Sequence, residues 1–192
     1  MNVRKNIDYS EMYEELDMLM AKQLPQMELY CGIGKAVCRR SEKGAAVMAS
    51  EYLNQQYPDV KGFSPRSLRR MRDFYRTYED HPNLLSLALQ IGWIQNVVIM
   101  EAELSMELRE WYMKASIQFG WSKTELITNI AENAHERVKI IVENSDICHE
   151  SKIRECIDLV LATLKINLSC TDFKRILNRN LSKRRCYYAK LI

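Results

Sequence analysis

The chain has 192 residues, 47% of them hydrophobic and 28% charged, with only six glycines and four prolines. That length and balance fit one fair-sized soluble domain or a domain plus an appendage, and so few turn formers argue against an all-β fold and for an α-rich one. The formal net charge of +3 is unevenly spread: residues 171–192 hold seven basic side chains against Asp172 alone, and a second basic cluster occupies residues 66–76. Concentrated positive charge points to anionic partners.

The elements follow from apolar periodicity. Met12, Leu16, Leu19 and Met20 begin a first helix that also carries Glu11, Glu14, Glu15 and Asp17. Pro25 interrupts or kinks it, because proline lacks an amide hydrogen and clashes with the preceding turn. Met27, Tyr30, Cys31, Gly34, Val37 and Cys38 continue the helical spacing up to a break at Gly44. Ala45, Met48, Ala49, Tyr52 and Leu53 give another apolar face, ended by Tyr57-Pro58. Ser64-Pro65 then signals a helix start, with a capping oxygen followed by proline where no amide hydrogen is needed. That helix is expected to reach about Tyr78, before His81-Pro82. A shorter apolar segment covers residues 84–100. Leu108, Trp111, Tyr112, Ala115 and Phe119 make the next helix, closed by Gly120. Ser122 and Glu125 form a capping-box pattern, opening a helix expected to run to about Val142. Ile153, Cys156, Ile157, Val160, Leu161 and Leu164 space out as a further amphipathic helix, and a short last one starts at Thr171. No alternating run bounded by hairpin turns is present, so no strand is predicted. The expected fold is all-α, a multi-helix domain at residues 8–142 followed by a helical extension with a basic tail at 143–192.

The segment from Arg66 to Arg76 contains five arginines and no lysine. At about 3.6 residues per turn, Leu68, Met71, Phe74, Tyr75 and Tyr78 fall on one side of the helix. Arg66, Arg69, Arg70, Arg72 and Arg76 fall on the other, with Asp73 among them and positioned to pair with Arg69, Arg70 or Arg76. Guanidinium groups bind phosphate through a planar fork and read guanine edges with two hydrogen bonds, which lysine does not. Two readings stay open on these residues alone: a nucleic-acid contact face, or a solvated face that pairs with the acidic first helix. The gap of residues 57–64 before this helix is long for a helix-turn-helix. The downstream pair around Gly120 has the tighter turn but little positive charge, so turn geometry and charge favour different helices.

Several blocks carry a family resemblance. Tyr57-Pro58, Lys61-Gly62-Phe63-Ser64, Arg66-Ser67-Leu68, Met71-Arg72, Phe74-Tyr75 and Tyr78 form the first. Ile91-Gly92-Trp93-Ile94-Gln95-Asn96 is the second, and Arg109-Glu110-Trp111-Tyr112 with Gly120-Trp121-Ser122-Lys123, Glu125-Leu126 and Ile130 the third. Over roughly residues 10–135, in order and spacing, the chain resembles the bacterial YhcG-type N-terminal domain. The resemblance implies an all-helical, helix-turn-helix-like module for DNA binding or interaction, normally followed by a predicted nuclease domain of the PD-(D/E)XK type. The chain departs from the family pattern at Gln95, where histidine is common, and near Cys31, where tryptophan is common.

That nuclease type needs an acidic residue on one strand and Glu-x-Lys on the next to hold a metal ion. Past residue 142 only Glu150-Ser151-Lys152 has the triplet, at the start of a helix-patterned segment without strands. Cys148, His149 and Cys156 lack a fourth ligand at a recognised spacing, none of the six cysteines forms a C-x-x-C pair, and no glycine-rich phosphate loop occurs. The chain is therefore read as a non-enzyme with no cofactor and no metal. No apolar run matches a membrane span and no signal-peptide core follows the N-terminus, so a cytoplasmic location without membrane attachment is expected. The expected partner is DNA, contacted by Arg66, Arg69, Arg70, Arg72, Arg76 and Lys61 and, without sequence preference, by Lys183, Arg184 and Arg185 of the tail. A homo-oligomer or a nuclease partner subunit is the further expectation. The competing reading is a protein-interaction or oligomerisation adaptor that uses the Ile153–Leu164 face.

Overall fold

The polar turn residues and helical periodicities resolve, in a computed structural model that describes residues 7–138 and Ala162, into a succession of α-helices. In chain order these are α1 (Ser10–Ala21), α2 (Gln26–Cys38), α3 (Ala45–Gln56), α4 (Pro65–Tyr78), α5 (Pro82–Ala88), α6 (Trp93–Glu101), α7 (Met106–Phe119) and α8 (Lys123–Ala131). No strand occurs among the described residues, and the fold is all-α. The chain divides into two compact units, the first ending at Met100 and the second beginning at Glu101. Apart from Ala162, which is helical and exposed, the expected C-terminal extension and its basic tail lie outside the described residues.

In the first unit, Pro25 does not kink a helix. α1 ends at Ala21, the chain turns through Gln23 at φ 48°, and Pro25 stands immediately before the first residue of α2. The apolar faces of α1 to α3 and the start of α4 close on one core that includes Leu16, Ile33, Val37, Ala49, Leu53, Phe63, Leu68 and Met71. α4 packs chiefly on α2, and beside it on α3. The α2 crossing is very close at Gly34, where an added Cβ would lie within 2.1 Å of the Met71 carbonyl oxygen and 3.2 Å of Tyr75 Cβ.

The apolar segment at residues 84–100 forms two helices, separated at Leu89–Gly92. Asn96 explains the break. Its fully buried amide nitrogen donates to the Ala88 carbonyl at 2.7 Å and lies within reach of those of Ile91 and Gly92, at 3.3 and 3.2 Å. It thereby ties the end of α5 to the start of α6, while the Gly92 carbonyl also keeps its ladder bond from the Asn96 backbone amide at 3.1 Å. Trp93 packs edge-on against Tyr30 and Phe74, bringing α6 to α2 and α4.

In the second unit, Ser105 caps α7 and Gly120 ends it with φ 64°, a left-handed position that side chains resist. The Ser122 capping box opens α8 as its sequence pattern predicts. α8 is shorter than expected, however: it stops at Ala131, Asn133 adopts φ 49°, and helical backbone resumes at Ala134. Asparagine tolerates that conformation because its short amide bonds locally, so a helical pattern can continue across a real break. Trp111, Tyr112, Trp121 and His135 cluster here, with the buried Tyr112 hydroxyl 2.9 Å from His135 Nδ1 and donating to the Asn129 carbonyl at 3.2 Å.

Candidate nucleic-acid interface

The arginine helix is positioned by the three residues in front of it and the proline that opens it. Gly62 turns the chain at φ 104°, a backbone state that favours glycine, and Phe63 then inserts into the core, 1% exposed. The Phe63 carbonyl accepts from the Ser50 hydroxyl at 2.5 Å and from the Asn54 amide at 3.0 Å, which fastens this loop to α3. Ser64 follows as N-cap, its hydroxyl accepting from the Ser67 amide at 3.2 Å, and Pro65 takes the first helical position. Leu68, Met71, Phe74 and Tyr78 are buried, so the rotation of α4 about its axis is set, and the opposite side faces solvent.

Arg66, Arg69 and Arg76 are exposed, and none makes a hydrogen bond or ion pair to another described residue. Arg70 is half-buried and engaged in an interaction. Asp73 was expected to pair with Arg69, Arg70 or Arg76, one turn away or nearly so. Instead the adjacent Arg72 grips it through Nε at 2.9 Å and Nη2 at 2.8 Å. A neighbour can reach back along the surface when its own side is half covered, and the longer spacings then lose the carboxylate. Lys61 is exposed and donates to the Pro58 carbonyl at 3.2 Å. Lys183, Arg184 and Arg185 lie outside the described residues, as do Cys148, His149, Cys156 and the Glu150–Lys152 triplet.

The acidic first helix has other engagements. Both Glu15 oxygens accept from Arg39 Nη1, at 2.9 and 3.0 Å. Asp17 accepts from the Tyr52 hydroxyl at 2.6 Å and the Tyr57 hydroxyl at 2.9 Å. Those bonds, together with burial, raise the pKa of both phenols, that of Tyr52 to about 12. Arg40 is spoken for as well, donating to the Asp8 carbonyl and Glu42 and resting on the Tyr9 ring at 5.3 Å.

The sequence carries no sign of the part Ser50 and Asn54 play, and marks Gly34 only by its helical spacing; these three place the arginine face without belonging to it. Ser50 and Asn54 sit one turn apart on α3, a spacing ordinary enough to carry no signal until the Phe63 carbonyl arrives between them. The aromatic residues weighed as base-stacking candidates pack inside: Phe63, Phe74, Trp111 and Trp121 are buried and Trp93 is half-buried. Cys31 and Cys38 are free, half-buried thiols, and burial pushes the Cys31 thiol up. Among the described residues no group of three or more histidine, cysteine, aspartate or glutamate side chains could hold a metal ion, and no helix is long and apolar enough to cross a membrane.

Compared with known families, residues 11–137 match the model of the DUF1016 N-terminal domain, the YhcG-type domain that the sequence blocks resemble. No curated protein and no solved structure matches the chain.

Proposed function

The chain belongs to the DUF1016 N-terminal domain family, and we propose that it is a non-catalytic module that binds DNA or directs a nuclease to it, acting in the cytoplasm. The observation that carries this reading is the outer face of α4. Arg66, Arg69 and Arg76 point to solvent without an acidic partner among the described residues, while Glu15 and Asp17 of α1 are engaged elsewhere. The buried side of α4 fixes its rotation and so aims these guanidinium groups outward, and their planar fork limits the freedom lost per hydrogen bond to phosphate. Most of the affinity is then electrostatic and independent of sequence. Arg72 and Arg70, already engaged, contribute less, and the basic tail at 183–185 adds further phosphate contacts.

The test is duplex binding by the full chain and by the Arg66→Ala/Arg69→Ala/Arg76→Ala variant across a salt series. If each arginine meets one phosphate, the triple variant reduces the slope of log affinity against log salt by about 2.7, at about 0.9 per phosphate. Binding that keeps its affinity and slope in the variant overturns the reading. Binding to a protein partner that ignores salt would instead favour the adaptor role.

A further inference from the structure

We infer that Arg39, at the end of α2, is a further phosphate contact beside the arginine helix, and that Glu15 acts as its built-in competitor. The inference rests on the reading of α4 as the DNA-binding face. Three observations carry it. First, α2 and α4 touch along a seam centred on Gly34, whose missing side chain lets the Met71 backbone and Tyr75 lie directly on α2. Second, Gly34 lies against Tyr75, 3.2 Å from an added Cβ, and Arg39 follows at the end of the same helix little more than one turn later, near enough that its charge also reaches the Tyr75 phenol, whose pKa is raised chiefly by burial and by Glu79. Third, Arg39 is well exposed, its side chain 58% accessible, and its only partner among the described residues is Glu15, held through a single guanidinium nitrogen. Lys35, one turn earlier on α2, is also exposed and has no ion pair among the described residues.

With Arg39 well exposed and Glu15 24% accessible, water still screens the pair and a long flexible side chain must be held in place, so the pair is worth little. A phosphate diester offers the same guanidinium an anion of equal charge, with release of condensed counterions as an added gain. Glu15 therefore keeps Arg39 placed in the free protein and lowers the net affinity for DNA by the cost of the exchange. Arg40, its neighbour, is fixed by the Asp8 carbonyl, Glu42 and Tyr9 and does not take part.

A double-mutant cycle in the full chain tests this, read as duplex affinity at fixed salt. Arg39→Ala is expected to weaken binding about fivefold at 0.15 M salt, the share of one phosphate contact. Glu15→Gln is expected to strengthen it about two- to fivefold. Glu14→Gln changes the charge equally on the same helix, at an exposed residue with no ion pair among the described residues, and is expected to give a smaller gain. In the Arg39→Ala background the Glu15→Gln gain falls to that of Glu14→Gln, the part due to net charge alone. If Glu15→Gln and Glu14→Gln act alike in the parent chain, or the excess gain of Glu15→Gln survives without Arg39, the inference is overturned while the α4 reading stands. If the triple arginine variant of α4 binds like the parent, both fall. A purely structural role for the pair predicts that Glu15→Gln weakens binding, the opposite sign. Melting curves show whether each variant is folded, and Arg39→Gln repeats the cycle should Arg39→Ala unfold.

Discussion

Gly34 shows how one atom decides a helix crossing. Glycine to alanine inside a helix ordinarily gains ~0.5–1 kcal/mol from chain entropy. Here the new Cβ would meet the Met71 carbonyl oxygen at 2.1 Å, a backbone atom that cannot rotate away, so α4 must move. Overpacking costs of ~1–3 kcal/mol outweigh the gain. Gly34→Ala is therefore expected to lower the urea midpoint; an unchanged or higher midpoint would show that the seam yields. Gly120→Ala isolates the other cost: nothing lies within 4 Å of its Cβ, so the loss of ~1 kcal/mol expected at φ 64° is backbone strain alone. At the same scale, burial of Tyr112 and the Asp17 bond to Tyr52 push both phenols up to about 12. A phenol raised above its unfolded value stabilises the fold fully below pH 10, and that contribution is lost as pH climbs from 10 towards 12. Alkaline titration should thus find late-ionising tyrosines, with Tyr52 and Tyr112 among the latest, and Tyr112→Phe should flatten the fall in stability over that window. Ionisation of all tyrosines near pH 10 would contradict it.

The helices begin by a shared grammar and end by different ones. Gly62-Phe63-Ser64 and Gly120-Trp121-Ser122 each supply a left-handed glycine, a buried aromatic ring and a capping serine. Only the first then presents arginines, and only the second completes a capping box through the Glu125 carboxylate, which accepts from the Ser122 amide at 2.8 Å. Ser64→Ala is expected to cost ~1 kcal/mol by leaving the Ser67 amide without its partner, measured by denaturant unfolding. Asn54→Ala should loosen the same loop more mildly, because it removes one of the two donors to the Phe63 carbonyl and leaves the Ser50 hydroxyl in place. These starts were legible because caps are local chemistry written in three or four consecutive residues. The interruptions at Leu89–Gly92 and at Asn133 were not. Apolar periodicity runs on across both, and what breaks the helix is a side chain meeting carbonyls within the fold or a single residue tolerating positive φ.

On the scale of the chain, the family match spans residues 11–137 and so crosses the boundary between the two compact units at Met100 and Glu101. The first unit holds the arginine helix together with the core that orients it, including the Tyr30, Phe74 and Trp93 cluster. A fragment ending at Glu101 is therefore expected to keep a cooperative urea transition by circular dichroism. A gradual loss of helicity would mean that its core is incomplete alone.

The amino-acid sequence by itself determined the helical class, the placement of the caps and the division of residues 66–78 into an apolar and a guanidinium side, since each depends on neighbours within one or two turns. Which arginines remain available was decided only by the tertiary structure. Glu15 went to Arg39 of α2 and Asp17 to two tyrosines of the α3 region, whereas Asp73 was taken within α4 by its neighbour Arg72. Charge pairing depends on which helices lie side by side, and that packing is set by the close approach at Gly34 and the buried faces rather than by the charges themselves.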